Sequence, residues 1–435
     1  MPSPHVRDVH PDLRTDEDSD PSPSYPRPAR PRRVLPPGIA LAGAAITFTS
    51  LYLAAGALTP LLVVYREQWA FSPALLTVAF AVYAAGFLGA LLTLGSLSDY
   101  VGRRPVLVVS LIVQAGSSVI FLMAPGIAWV IIGRIVQGIA QGAATTAFTA
   151  ALVELAPAHR KRLGATLGSV GLTGGLGAGS LLAGAAIQLT ASANTIVFGV
   201  LTATTVVGAL LIAISPETVT PVRGAARSLV PRVSFPSATR REFAAAAPVI
   251  AAVWMLAGLS GGLAPSMVRS VFHLDSGLLD GVAGFIAPAT AAVVGLLFAR
   301  IAPRRAMSIG IYASLASSVL IIGGALGGIL AVMFVGQALA GVAFGAAFTA
   351  ALQLIFPLAE QHQRAGVVAS IYLISYVAFG VPIVVAGQLT EPLGVVPTVT
   401  LYTVVTILLA LVSLIAQRRI TRPEAETSPS IGRTA

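Results

Sequence analysis

The chain has 435 residues, of which 56% are hydrophobic and only 10% charged, and its formal net charge is +10. A soluble domain carries about 25% charged residues, so no water-soluble core explains this composition. There is no cysteine, which excludes disulfides and cysteine-based metal or redox chemistry.

Residues 1–36 are rich in Pro, Asp and Arg and contain no apolar run. Such a segment cannot bury a core and is expected to be a disordered tail; it lacks the apolar stretch of a secretory signal. A helix needs roughly 20 apolar residues to cross the hydrocarbon core. Stretches of that kind follow at about 37–64, 72–97, 105–125, 127–152, 163–187 and 195–215. A polar loop occupies 216–242, and six more stretches follow at about 243–271, 279–299, 305–326, 329–356, 365–388 and 393–416. This describes an all-α polytopic membrane protein with twelve transmembrane helices in two six-helix bundles, 37–215 and 243–416. The alternating short segments of a transmembrane barrel are absent. The polar tail at 417–435, with Arg418, Arg419 and Arg422, is expected to anchor at the membrane surface.

Lys and Arg set the orientation. Of the 27 in the chain, all but Arg66, Arg134 and Arg269 fall in the two tails, the central loop and the even-numbered links. That asymmetry predicts cytoplasmic termini and a cytoplasmic central loop in a multi-pass protein of the cell membrane. The positive net charge is therefore a topology signal and gives no reason to expect nucleic-acid binding.

The two halves read as parallel copies. FTAAL occurs at 148–152 and again at 348–352, and GIAQGAA at 138–144 resembles GVAFGAA at 341–347. Pro157 matches Pro357, AGALTP at 55–60 resembles SGGLAP at 260–265, and Gly95 and Arg104 are echoed by Gly295 and Arg304. Parallel repeats of this kind suit a carrier whose halves rock around a site between them.

The link between the second and third spans reads GSLSDYVGRRP, and the fourth span carries Arg134, Gln137 and Gly138 in the pattern R-x-x-Q-G. Gly95, Leu97, Asp99, Gly102, Arg103 and Arg104 fit the pattern G-x-L-x-D-x-x-G-R-R/K. With twelve spans and a six-plus-six repeat, the chain resembles the major facilitator superfamily over nearly its whole length. LYLAAGALTPLL and QWAFSPALL are similar to bacterial members grouped with drug or sugar exporters. The resemblance implies a secondary transporter working by alternating access, with efflux by proton antiport as the first expectation. Uptake by a symporter or uniporter for a sugar or metabolite is the alternative. A non-transporting sensor or scaffold on the same fold is the reading from another class. No catalytic acid–base pair, nucleophile triad or metal cluster is present, and no P-loop, so neither enzyme activity nor a cofactor is expected. The expected partners are a small-molecule solute, membrane lipids and protons, with the chain acting as a monomer.

The resemblance also suggests how the loop motif works. Asp99 would sit near the positive N-terminus of the eleventh span, close to Gly366. Arg103 would pair with a carboxylate, for which Glu154 is the candidate, and Gly102 permits the turn. Gly95, Asp99, Gly102, Arg103, Arg104 and Glu154 would then form a latch favouring the outward-open state. The plainer alternative is that the arginines only anchor topology. In the second half Ala299 and Pro303 replace the acid and the first Arg, so the echo is degraded.

In the fourth span Arg134, Gln137, Gly138, Gln141, Thr145 and Thr149 recur at intervals of three and four and share one face. A polar stripe at that depth should face protein or water. Arg134 either contacts a polar or anionic substrate group, or helps proton coupling, or serves as a structural hub. The matching face of the tenth span carries Gln337, Gly341, Phe344 and Phe348. Together they predict a cavity polar on one side and aromatic on the other, with Tyr52, Trp254 and Tyr376 as further aromatic candidates. That suits a neutral or amphipathic organic solute. Gly164, Gly168, Gly171, Gly175 and Gly179 form a glycine face on the fifth span, expected to pack closely against another helix and to permit sliding. No acid lies clearly at mid-span; Glu67, His273, Asp275 and Asp280 are placed near the outer face, so support for proton coupling from the residues is thin.

Overall fold

The structure is a computed structural model that describes residues 35–230, 234, 236–360 and 363–421. The tail expected over 1–36 is thus described only from 35; Arg232, and the C-terminal tail from Arg422 onward, lie outside the described residues.

Among the described residues, twelve helices are long and apolar enough to cross a membrane. They are α1 (Pro37–Trp69), α2 (Pro73–Leu94), α3 (Arg103–Leu122), α4 (Ile127–Leu155), α5 (Lys161–Leu189) and α6 (Ala193–Ala213). After the central loop come α7 (Ser237–Gly262), α8 (Gly277–Leu297), α9 (Pro303–Gly327), α10 (Leu330–Ile355), α11 (Arg364–Leu393) and α12 (Val395–Thr421). Several starts are written locally. Pro37, Pro73 and Pro303 open their helices where a missing N–H leaves no bond unmade. Ser72 accepts from the Leu75 N–H, and Ser276 from that of Leu279.

Several boundaries differ from the hydropathy reading, and two of the differences have an identifiable local cause. Helix α7 starts at Ser237, six residues before the expected 243, because Arg240, Arg241 and Glu242 are helical though polar. Hydropathy marks the apolar part of a helix, whereas the backbone ladder continues past it. The expected span 243–271 also breaks at Leu263, and a short helix Ala264–Ser270 follows. Pro265 has no N–H to continue the ladder, so the helix ends and restarts with it in the first turn.

The packing repeats with a shift of six helices. In the first half α1 packs on α5 and α6, α2 on α4, and α3 on α4 and α6. In the second half α7 packs on α11 and α12, α8 on α10, and α9 on α10 and α12. The halves meet through α5 with α8 and α2 with α11. A six-helix shift turns each of those seams into the other. The buried pairs Ser117–Ser118 and Ser317–Ser318, and Gln137 and Gln337, follow the same repeat.

The two seams are tightest at the end away from the GSLSDYVGRRP link, here the far end. A Cβ on Gly184 would come 2.6 Å from the Gly281 Cα, so the α5 and α8 backbones touch there. Toward the motif end the same pair has loosened: a Cβ on Gly295 meets only the Ser169 hydroxyl, at 3.7 Å. Polar contacts between the halves gather at the far end too. Ser180 donates to the Gly281 carbonyl at 3.1 Å, Ser276 to Gln188 at 3.1 Å, and Arg269 pairs with Glu67 at 2.6 Å.

The predicted glycine face of the fifth span lies inside the first half. Gly171, Gly175 and Gly179 lie against α1 at Phe48–Thr49, Thr49–Tyr52 and Leu53, while Gly164 and Gly168 lie against α4 at Leu152 and Thr149. The expectation that this face can slide finds it packed against helices of its own bundle. The seam between the halves uses other small residues, Gly177, Ser180 and Gly184, on the opposite face of α5.

Candidate functional site

A cavity of about 130 Å³ lies between the halves. From the first half it is walled by Tyr52, Gly56 and Thr59 of α1, Phe80 and Tyr83 of α2, Arg134 of α4 and Thr173 of α5. From the second half it is walled by Trp254, Ser260 and Gly261 of α7, Pro288 of α8, Phe344 of α10, and Tyr376 and Phe379 of α11. Both members of each seam therefore border it, and any motion at the seams reshapes it.

Its aromatic side is one connected cluster. Trp254 lies 4.9 Å from Tyr376, 5.2 Å from Phe344 and 5.5 Å from Phe348, centroid to centroid. The cluster crosses between halves where Phe80 meets Phe379 at 5.1 Å and Phe87 stacks on Tyr376 at 4.6 Å. Phe348 supports Trp254 from behind and is not itself part of the wall.

The polar stripe of α4 divides in the same way. Arg134 borders the cavity yet is only 2% exposed. Its guanidinium donates to the Ala79 and Phe80 carbonyls and to Gln137 Oε1, and lies over the Tyr83 ring at 4.4 Å. Gln141 donates to the Leu51 carbonyl at 2.7 Å and accepts from the Tyr83 hydroxyl at 2.7 Å. Thr145 shares a hydrogen bond of 2.7 Å with Tyr52. Gln137, Gln141 and Thr145, placed in the cavity by sequence, stand behind its wall; Gln141 and Thr145 tie α4 to α1 and α2, while Gln137 holds Arg134 on its own helix. Gln337 does the equivalent in the second half, bonded to Ser260. The correction has a simple cause. Helical spacing shows which residues share a face, but not whether a neighbouring helix covers it.

At the motif, Arg103 carries most of the contacts. It pairs with Asp99, reaches Glu154 at 3.1 Å and donates to the Ser98 hydroxyl at 2.7 Å. Gly102 adopts φ 101°, a conformation glycine accepts readily. The reason for a glycine is also spatial: a Cβ there would stand 2.6 Å from Glu217 Oε2. Glu217, from the central loop, accepts from the Arg103 and Arg104 backbone N–H groups at 2.8 and 3.0 Å and so caps α3. Thr146 donates to the Gly95 carbonyl at 2.7 Å. The expected approach of Asp99 to α11 is not made. Its ion-pair partner is Arg103, and the Ser234 backbone N–H of the central loop donates to the Gly366 carbonyl in the first turn of α11. Separation of the halves at this end accounts for the difference.

Glu217→Ala removes two charge-assisted caps from an exposed helix end. It should lower stability by about 1 kcal/mol, read as a small drop in melting temperature of the purified protein.

A family model described as the Major Facilitator Superfamily matches residues 44–326. The chain belongs to the Major Facilitator Superfamily. Among curated relatives, an uncharacterized transporter of Rickettsia bellii (strain RML369-C) is 46% identical over 57 residues, 13% of this chain and 14% of that protein. Multidrug resistance protein MdtL of Klebsiella pneumoniae (strain 342) is 37% identical over 71 residues, 16% of this chain and 18% of that protein. The matches thus span under a fifth of either relative's length. Among solved structures, a POT family transporter in complex with 5-aminolevulinic acid shares the fold at TM-score 0.71 and 12% identity, covering 90% of this chain and 99% of that one. A bacterial homolog of the human lysosomal transporter Spinster, in an inward-facing and occupied conformation, aligns at TM-score 0.69 and 15% identity, covering 90% and 98%.

In this superfamily member the far end carries a second charged cluster. Arg269 contacts Glu67 of α1 at 2.6 Å, Asp280 of α8 at 2.8 Å and Asp275 at 3.2 Å. Burial disfavours the Arg269 charge, but Asp280 and Glu67 outweigh it and its pKa is raised. Asp280 is wholly buried, and its Oδ1 has no hydrogen-bond partner among the described residues. The sequence placed these residues near one face but gave no sign that one guanidinium gathers them, Glu67 from the other half.

Sequence reasoning missed Thr59, Phe80, Tyr83, Ser260 and Phe379 in the cavity and Glu217 at the motif. A signal existed for part of this. The repeat AGALTP/SGGLAP contains Ala55, Gly56 and Thr59 in one copy and Ser260 and Gly261 in the other, all of which border the cavity.

Proposed function

We propose that the protein is a secondary active transporter that exports a small amphipathic solute across the cell membrane in exchange for protons. The observation that carries this is the cavity walled by both halves, with the seams closed at one end and loosened at the other. A sensor or scaffold on this fold would need no such site. Export is favoured by the local likeness to MdtL, named as a multidrug resistance protein. Proton exchange is favoured by Asp280, a buried carboxyl in an ion-pair cluster that spans the halves. The asymmetry of Lys and Arg puts the motif end, the central loop and the termini in the cytoplasm. In that frame the structure is closed outward.

Alternating access then has a physical description. Closing the cytoplasmic end would bring Asp99 to the free N–H groups at the N-terminus of α11. Opening the outer end would part Glu67 from Arg269 and separate Gly184 from Gly281. One chain encloses the whole cavity, so a monomer suffices, surrounded by lipid.

Accumulation of amphipathic probes in cells tests this. Cells with the protein should accumulate less probe, a protonophore should remove the difference, and Arg103→Ala should reduce it. Equal accumulation with and without the protein, for every probe, would sink the export reading. A difference that survives the protonophore would remove proton exchange alone.

A further inference from the structure

We propose, resting on the transporter reading, that the cavity accepts planar aromatic or amphipathic carboxylates and disfavours organic cations of the same shape. The charge balance of the wall is the starting observation. Among the described residues that line it, Arg134 is the one charged side chain and none is a carboxylate. Arg134 is not neutralised from behind either, since its three hydrogen bonds go to two backbone carbonyls and an amide oxygen. An uncompensated charge at this depth is costly in low dielectric. A ligand carboxylate would supply the missing counter-charge.

The donor inventory points the same way. A guanidinium has five N–H donors. Arg134 uses one on Nε, one on Nη1 and one on Nη2. One N–H on each Nη nitrogen remains, two donors in all, the number a carboxylate takes in a two-point contact. The Tyr83 ring beneath the guanidinium helps hold its plane. Across the cavity, Trp254, Tyr376 and Phe344 give an apolar platform for a ring. Aromatic faces also attract cations. Here a cation would meet the unpaired charge of Arg134 in the same small space, and like-charge repulsion outweighs contact with a ring.

The test uses three naphthalenes that differ in one substituent: 2-naphthoate, 2-naphthamide and 2-naphthylmethylammonium. Binding to the full-length protein in lipid nanodiscs is measured by titration calorimetry at neutral pH. Naphthoate should bind about tenfold or more tighter than the ammonium, with the amide between. Arg134→Gln should bring naphthoate down to the amide. Arg134→Lys, which keeps the charge without the fork, should keep the order with a smaller gap. Ammonium binding equal to or tighter than naphthoate, an unchanged order in a folded Arg134→Gln protein, or no binding by any of the three overturns the proposal. Flux of the same compounds in proteoliposomes separates the two readings. The ammonium carried in preference to naphthoate would defeat the substrate class and leave transport standing. The expected binding order without flux of any compound would defeat transport and leave the site's selectivity standing.

Discussion

Arg269→Ala should destabilise the protein by roughly 3–5 kcal/mol, the scale for stripping a buried charge of its partner. Asp280 is fully buried and Arg269 is its ion-pair partner. Without the guanidinium, the carboxylate must stay charged in a dry site or take up a proton. Changing Asp280→Asn in the same protein removes that charge, so the double variant should recover much of the loss. Glu67 is 56% exposed, and Glu67→Gln should cost no more than about 1 kcal/mol. The check is thermal or denaturant unfolding of the four proteins of the Arg269/Asp280 cycle. Additive single losses would show that the two residues are not coupled and would remove Asp280 from the cluster's role.

Two glycines of α5, on opposite faces, should behave in opposite ways when changed to valine. A Cβ at Gly184 would sit 2.5 Å from the Gly277 carbonyl and 2.6 Å from the Gly281 Cα. Both are backbone and cannot turn aside, but the two halves can part. Overpacking of about 1–3 kcal/mol would then shift the closed-to-open balance at the far end by roughly 5–150-fold. Gly184→Val should therefore fold with near-normal melting and lose transport. Gly179 presses on the Leu53 backbone within the first half, where no rocking motion relieves the clash. Gly179→Val should lose the fold itself. Because the chain has no native cysteine, single cysteines introduced along the far-end seam can be labelled cleanly. Their reactivity should rise in Gly184→Val. Unchanged labelling together with normal transport would show that the α5–α8 contact is not a closing surface.

Much of this was legible in the chain itself. Long apolar runs must become helices in lipid, because every backbone N–H and C=O has to be satisfied within the segment. Twelve spans and their order follow from that constraint, the six-plus-six repeat is read from the matching segments of the two halves, and the packing pairs keep the same six-helix shift. The motif was legible too, since an acid and two arginines on a short link stand out against so apolar a background. The spacing of Arg134, Gln137, Gln141 and Thr145 gave their common face, a property of the helix alone.

Tertiary structure decided what those faces meet. Whether a buried glutamine lines a cavity or ties two helices depends on the neighbour, and α1 and α2 cover Gln141 while Arg134 borders the open space. The same applies to the glycines of α5, of which one face closes the first half and the other meets α8. Glu217 caps α3 from more than a hundred residues away, and Arg269 reaches Glu67 in the other half while holding Asp275 and Asp280 of its own. The Glu217 caps and the Arg269–Glu67 pair join segments distant in sequence, and the Arg269–Glu67 pair forms only when the halves are brought together. Helical periodicity fixes directions around one axis, whereas the choice of partner is made by packing.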